Sequence, residues 1–279
     1  MMETSTAIRR SMHELLEERV KMHPDREMYV FVSDNERLNF LDFHRKVEEL
    51  ASGLLDIGLS KGDYIAIIGH NHMEWPLIAG AARAIGLISV FLQVNYPMHI
   101  IGDILRKTSC KALFLTRSPE NLYTDICKLI PELSSSTSGS IMSNNFPDLR
   151  YIVATGINHK SGTTKLEDLY LAGYEDTVMQ AVKRVTIDDI CCVLMTSGST
   201  GPPKLVKKSH FRMLNPTYGL LQLCNESQVT KLVLCGTMAF MDCAVQTHVC
   251  PLLVGSTCIY PNTDAFDCKK FLQTIKDER

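Results

Sequence analysis

The first part of the chain alternates between helical and strand-like spacing of its apolar side chains. A first helix is predicted by apolar positions at helical spacing, namely Ile8, Met12, Leu15, Leu16 and Val20. His23-Pro24 ends that pattern, and the β-rich run 28–32 predicts a strand. After turn residues at 34–36, a second strand is predicted at 38–40, followed by a helix across 43–55 that Gly58 ends.

From residue 64 onward, short apolar runs alternate regularly with helical patterns. Strands are predicted at 64–68, 88–92, 112–116 and 151–154, with helices at 74–84, 100–107 and 123–130. Further elements are predicted as a short helix at 166–171, strands at 190–195, 231–235 and 256–260, and helices at 211–223 and 265–276. Continuous apolar strands that alternate with helices imply an α/β fold of mainly parallel sheets with helices on both faces.

Composition and charge narrow the class of protein. Of the 279 residues, 45% are hydrophobic and 22% charged, enough for a sizeable core in one large domain or two small ones. A formal net charge of −2 offers no basic field for nucleic acid or an anionic membrane surface. No apolar run approaches the ~18 residues of a membrane-spanning helix. We therefore expect an intracellular protein without a transmembrane segment, and no targeting signal is recognised.

One low-complexity stretch interrupts the pattern. Residues 134–140 are serine, threonine and glycine only. Such a segment is too polar to enter a core, and we expect a flexible Ser-rich surface loop at 134–145 within the domain rather than a linker between domains.

The ten cysteines form no CxxC pair, so neither a disulfide scaffold nor a zinc module is predicted. We expect reduced, mostly buried thiols, with the neighbours Cys191 and Cys192 pointing to opposite faces of one strand. His70 and His72 form an HxH pair, but no further ligand recurs nearby at metal-binding spacing. A structural role is favoured for the two histidines, and no metal site is predicted.

Candidate chemistry lies directly after the strand at 190–195. The run is Thr196-Ser197-Gly198-Ser199-Thr200-Gly201-Pro202-Pro203-Lys204. Glycines let backbone N–H groups approach phosphate oxygens, hydroxyls donate further hydrogen bonds, and a lysine offsets charge. The Walker spacing GxxxxGK[ST] is absent, which excludes a GTPase-like loop. The alternative is a flexible turn that happens to be rich in small residues.

The same nine residues resemble the phosphate-binding signature of the adenylate-forming superfamily, usually T-S-G-[ST]-T-G-x-P-K-G. Acyl-CoA synthetases, luciferases and peptide-synthetase adenylation domains share it. Similar segments cover nearly the whole chain, at 50–58, 61–67, 83–86, 95–97 and 110–113. The mitochondrial medium-chain acyl-CoA synthetase group is the most similar, on the run 51–59, Pro131-Glu132 and 147–149.

The resemblance implies a two-step reaction. A fatty or other small carboxylic acid attacks the α-phosphate of Mg·ATP to give acyl-AMP and pyrophosphate, and the thiol of coenzyme A then displaces AMP. ATP, Mg²⁺ and coenzyme A are the implied co-substrates, and a mitochondrial location is implied. The ATP phosphates would be bound by Thr196, Ser197, Gly198, Ser199, Thr200, Gly201 and Lys204. Their role would be electrostatic, and no side chain would be covalently modified.

Two local departures from the family pattern stand out. Leu205 replaces the glycine that usually follows the loop lysine, and a branched side chain there bars a positive φ. The family usually has a proline, an aromatic residue and a histidine against the acyl group. Here the run 237–242 lacks the histidine, and Met238, Phe240 and Met241 are the candidate acyl contacts.

The third departure concerns segments that family members carry downstream. Residues for adenine, ribose and Mg²⁺, a hinge and the small C-terminal domain with its adenylation lysine are not found after Lys204. We therefore expect 1–279 to be a partial N-terminal AMP-binding domain with no catalytic residue of its own and with impaired activity. The alternative is a non-catalytic nucleotide-binding or regulatory module derived from the same family.

Overall fold

A computed structural model describes residues 7–117, 120–136, 140–156, 161–196, 203–223, 230–262 and 266–278. Within these ranges the chain forms eleven strands and nine α-helices. The strands are β1 Glu27–Phe31, β2 Glu36–Asn39, β3 Tyr64–Gly69, β4 Ile88–Leu92, β5 Ala112–Thr116, β6 Tyr151–Ala154, β7 Thr164–Lys165, β8 Ile190–Thr196, β9 Lys204–Ser209, β10 Lys231–Val233 and β11 Thr257–Tyr260. The helices are α1 Met12–Met22, α2 Phe40–Asp56, α3 Glu74–Ala84, α4 Met98–Lys107, α5 Glu120–Leu129, α6 Glu175–Val182, α7 His210–Leu223, α8 Met241–Val254 and α9 Cys268–Asp277.

A seven-stranded sheet forms the centre of the molecule, in the order β7-β6-β5-β3-β4-β8-β9. Every neighbouring pair is parallel except β8 with β9. This confirms the predicted α/β class, because parallel neighbours require helical crossovers that cover the faces of a sheet.

The large sheet is buried on both faces. Along β3, Ile65 and Ile67 belong to the core that also contains α2 and α3, whereas Ala66 and Ile68 belong to the core of α4 and α5. This alternation follows from the two-residue period of a strand. It explains why the strands appear in the sequence as continuous apolar runs.

A second sheet of four strands has the order β10-β11-β1-β2. β1 and β2 form the expected antiparallel pair, and β1 also lies parallel to β11, with Tyr29 opposite Cys258. Tyr29 donates a hydrogen bond of 2.9 Å to the carbonyl of Thr247 in α8. The small sheet therefore joins the start of the chain to residues more than two hundred positions later.

The cysteine pair of β8 departs from the prediction. A bulge between Ile190 and Cys192 shifts the register of β8 against β9, and both Cys191 and Cys192 face the core of α2 and α3. The expectation of opposite faces was wrong, because the extra residue of a bulge breaks the strand alternation. No disulfide joins any two of the described cysteines, and five of these cysteines are buried.

The predicted Ser-rich loop is only partly described, because residues 137–139 lie outside the described ranges. On one side of this gap, Pro131–Ser135 form a 3₁₀ helix. On the other side, Ile141 is buried, and its N–H donates a 2.7 Å hydrogen bond to the Arg150 carbonyl. Flexibility of the loop stays a prediction. None of the helices in the described part of the chain is long and apolar enough to span a bilayer.

Candidate nucleotide and acyl site

The predicted phosphate loop connects two antiparallel strands. β8 ends at Thr196, β9 begins at Lys204, and these two residues are directly paired in the sheet. Ser197, Gly198, Ser199, Thr200 and Gly201 lie outside the described residues, so their contact with phosphate stays a prediction. The hairpin nevertheless brings the two described ends of the loop together.

The hairpin opens at the carboxyl edge of the parallel sheet. Val90 of β4 pairs with Val193 of β8, so Thr196 lies level with Gln93, just past the end of β4. In open α/β sheets, ligands bind outside the carboxyl ends of the strands. The sequence did not indicate β9, because its lysines and single Leu-Val pair are typical of an exposed edge strand rather than a core strand.

Lys204 is exposed at the mouth of this hairpin, and Thr196 is half-buried. Among the residues that the structure describes, no carboxylate pairs with Lys204. Leu205 has ordinary extended backbone and pairs with Met195. At this position the strand needs no positive φ, so leucine is compatible with the backbone of β9.

A cleft of about 190 Å³ lies at the carboxyl ends of β3, β4, β10 and β11, between the two sheets. It is lined by Gly69, His70, Asn71, Gln93, Val94, Asn95, Leu234, Cys235, Gly236, Thr237, Pro261, Asn262, Phe266 and Phe271. Its wall therefore combines apolar side chains with several amide groups. Gln93 places the cleft next to the edge where the β8–β9 hairpin opens.

The candidate acyl residues occupy different environments. Met238 is fully buried in the core and does not line the cleft, Phe240 is 48% exposed, and Met241 is half-buried at the start of α8. From the same segment, Gly236 and Thr237 do line the cleft, and the sequence analysis did not single these two out. Acyl contact by Met238, Phe240 or Met241 stays a prediction.

The HxH pair has a structural environment. His72 Nδ1 lies 2.8 Å from Asp34 Oδ2, and Arg117 lies 3.1 Å from the other oxygen of that carboxylate. Asp34 follows β1, so this charged group ties the small sheet to the loop after β3. His70 lines the cleft. These contacts agree with the structural role favoured for His72.

The sequence is similar to that of known enzymes over nearly its whole length. The sequence profile described as AMP-binding enzyme matches residues 16–279. The chain belongs to this family. It is 32% identical over 271 residues to "Medium-chain acyl-CoA ligase ACSF2, mitochondrial" of Danio rerio, covering 95% of this chain and 44% of that protein. It is 28% identical to "Putative acyl-CoA synthetase YngI" of Bacillus subtilis, covering 95% and 49%.

Solved structures of family members share the fold. A long-chain-fatty-acid-CoA ligase, FadD1, from Archaeoglobus fulgidus matches with a TM-score of 0.77 at 16% identity, over 98% of this chain and 51% of that one. A putative long-chain-fatty-acid CoA ligase from Rhodopseudomonas palustris matches with a TM-score of 0.76 at 17% identity, over 97% and 61%. The chain spans less than half the length of the ACSF2 relatives that it matches. It covers 61% of a solved N-terminal domain of FACL13 from Mycobacterium tuberculosis, with a TM-score of 0.69 at 16% identity.

Proposed function

We propose that this chain forms the phosphate-binding and acyl-binding front part of an ATP-dependent acyl-CoA synthetase. The observation that supports this most is the β8–β9 hairpin, whose ends Thr196 and Lys204 pair at the carboxyl edge of the parallel sheet. The loop sequence suits phosphate, and the adjacent cleft is wide enough to admit an organic acid.

The proposed reaction has two steps. A carboxylate oxygen attacks the α-phosphorus of ATP, the bond from that phosphorus to the bridging oxygen breaks, and pyrophosphate leaves. The coenzyme A thiol then attacks the acyl carbon and AMP departs. In the first step negative charge grows on the leaving pyrophosphate, so an unpaired ammonium such as that of Lys204 lowers the barrier by electrostatic attraction. Mg²⁺ enters with ATP, because the segment 196–204 contains no carboxylate to hold the ion.

The cleft is the proposed site for the acyl group. Leu234 and Phe271 provide apolar contact for an alkyl chain, and the amides of Gln93 and Asn95 provide donors for polar groups. The similarity to mitochondrial medium-chain acyl-CoA ligases favours a medium-chain acid and a mitochondrial location.

We further propose that residues 1–279 alone bind Mg·ATP but turn over slowly. The relatives are roughly twice as long, and misplacing reactive groups by even ~1 Å costs on the order of 100-fold in rate. A non-catalytic nucleotide-binding module is the second candidate function. Unlike the proposed synthetase, it would bind ATP without turnover even as part of a longer protein.

The test uses purified protein with Mg·ATP, coenzyme A and saturated carboxylic acids from short to long chain. Calorimetry measures ATP binding, and separate assays follow pyrophosphate release and thioester formation. ATP binding with slow turnover is the expected result. Absence of ATP binding would contradict the phosphate-loop assignment, and turnover at the rate of a full-length relative would contradict the proposed impairment.

A further inference from the structure

Two neighbouring helices each carry a histidine and a glutamate one turn apart. On α1 these are His13 and Glu17, with His13 Nε2 at 3.7 Å from Glu17 Oε1. On α2 they are His44 and Glu48, with His44 Nδ1 at 3.4 Å from Glu48 Oε2. Residues four apart share one face of a helix. The two imidazole rings meet in the interface, with centroids 5.4 Å apart and planes inclined by 23°.

The interface leaves histidine nitrogens without hydrogen bonds. His13 is 2% exposed, and neither its Nε2 nor the Nε2 of His44 has a hydrogen-bond partner among the described residues. A buried polar atom without a partner costs about 1–3 kcal/mol, and native proteins rarely leave such atoms unsatisfied. These two nitrogens are therefore candidate ligand atoms for a bound ion or a water.

Protonation does not supply this partner. Burial, followed by the neighbouring charges of His44, Arg83 and His210, lowers the pKa of His13 to about 3. Burial also lowers the pKa of His44. Both rings are therefore neutral near pH 7, and each keeps a nitrogen lone pair. Neutral imidazole is the form that binds metal ions.

We propose that His13, His44 and Glu48 bind a divalent transition-metal ion, with Zn²⁺ as the best fit. One ligand atom from each residue lies within 4.8 Å of the others. Two imidazoles and a carboxylate suit Zn²⁺, whereas Mg²⁺ and Ca²⁺ prefer oxygen ligands only. Glu17, on the same rim, or a water would supply the fourth ligand of a tetrahedral site.

Binding requires a modest contraction of the cluster. Zinc bonds of about 2.0–2.1 Å place tetrahedral ligand atoms roughly 3.4 Å apart. The side chains of His44 and Glu48 are 17% and 40% exposed, whereas His13 is buried, so the movement required for binding falls on His44 and Glu48. Arg83 and His210 also face His13. The carboxylates of Glu17 and Glu48, beside the two histidines, would supply the negative charge for a bound cation.

Such a site would fasten α1 to α2. The α1 helix begins with a capping box, in which the Ser11 hydroxyl accepts from the Glu14 N–H and the Glu14 side chain accepts from the Ser11 N–H. α2 begins with Asn39, whose side chain accepts from the Asp42 N–H. Both helix starts are therefore capped, and His13 and His44 lie close to these capped starts. The residues of this site neither belong to the segment 196–204 nor line the cleft.

The test measures zinc affinity in protein whose accessible thiols have been alkylated, because Cys235 and Cys268 are exposed and would otherwise compete. Competition with a chromophoric chelator gives the affinity and stoichiometry. Co²⁺ substitution gives a tetrahedral visible spectrum without thiolate-to-metal bands. We expect one Zn²⁺ per chain and an increase in Tm on binding.

Variants at the outer ligands keep the core intact. His44→Ala and Glu48→Gln should each weaken zinc binding by at least about 10-fold. Removal of a residue that only orients a metal ligand already costs about that much affinity. The exposed residues His99 and Glu167 provide the controls His99→Ala and Glu167→Gln, which should bind zinc like the parent protein. Absence of stoichiometric binding by the parent, or equal affinity in the ligand and control variants, would overturn the proposal.

Discussion

Asn71 Oδ1 accepts a 2.9 Å hydrogen bond from the backbone N–H of Met238. The amide nitrogen of the same side chain donates a 2.8 Å hydrogen bond to the carbonyl of Gly236. Asn71 follows β3 of the large sheet, and the segment 236–238 follows β10 of the small one. The buried side chain of Asn71 therefore joins the segment after β3 to the segment after β10, and both segments line the cleft.

Replacing Asn71 should destabilise the fold. Asn71→Ala leaves a backbone carbonyl and a backbone N–H without partners, and we expect the free energy of unfolding to fall by roughly 2–4 kcal/mol. Asn144→Ala is the control, since Asn144 is exposed. Chemical denaturation measures both variants. Equal stability of Asn71→Ala and Asn144→Ala would show that the two hydrogen bonds of Asn71 contribute nothing to the free energy of unfolding.

Two helical glycines should respond to alanine in opposite directions. A Cβ at Gly53 in α2 would lie 1.9 Å from the carbonyl oxygen of Leu169, whereas one at Gly219 in α7 would meet no atom within 4 Å. Gly53→Ala should therefore lower the free energy of unfolding by about 1–3 kcal/mol through overpacking. Gly219→Ala should raise it by about 0.5–1 kcal/mol through helix propensity. Thermal unfolding of both variants tests this, and a shift in the same direction would contradict the packing of α2 on residues 166–169.

Acid should destabilise the protein before its ordinary carboxylates titrate. Burial lowers the pKa of His13 to about 3 and that of His210 to about 4, from 6.5 in the unfolded chain. The unfolded state then binds more protons below pH 6.5, so stability is full above that value and is lost as the pH falls. The expected loss is about 2 kcal/mol for each histidine between about pH 7 and pH 5. Urea denaturation in the presence of a chelator measures it, and constant stability over this range would contradict the burial of these rings.

Thiol labelling should separate the cysteines by burial. Cys235 and Cys268 are exposed and should react with a maleimide within a short pulse. The buried thiols of Cys110, Cys192 and Cys258 should react only after unfolding. Burial also raises the pKa of Cys110 and Cys258, which reduces the fraction of reactive thiolate. Mass spectrometry after digestion identifies the labelled sites. Detection of a native intramolecular disulfide would contradict the prediction of an intracellular protein.

Much of the large sheet could be predicted from the sequence. The predicted strands 88–92, 112–116 and 151–154 have the same bounds as β4, β5 and β6. These strands are apolar on both faces and lie between strong helical patterns, so local sequence determines them. The pairing of β1 with β11 could not be predicted, because no local pattern reports contact between segments so far apart.

Two elements near the site were not predicted for different physical reasons. α8 was missed because it contains Pro251 and is apolar on almost every side, which removes the helical periodicity. β9 was missed because it is a lysine-rich edge strand. The cleft depends on the packing of both sheets. The cluster of His13, Glu17, His44 and Glu48 likewise forms only when α1 and α2 pack together. The walls of the site could therefore not be predicted from the sequence, and phosphate binding by the loop stays a prediction, because residues 197–201 lie outside the described ranges.

Binding of the β- and γ-phosphates of ATP by residues 196–204 would make the affinity for ATP, but not that for AMP, depend on Lys204. Calorimetry would measure both nucleotides with the parent protein, Lys204→Ala and Lys207→Ala. Lys207 is an exposed lysine of the same strand whose ammonium lies over the Tyr64 ring, and it serves as the control. Lys204→Ala should weaken ATP binding about 10- to 100-fold, the value of a charge-assisted contact, and leave AMP binding unchanged. Equal ATP affinity in Lys204→Ala and Lys207→Ala, or an equal loss for ATP and AMP, would contradict the assignment.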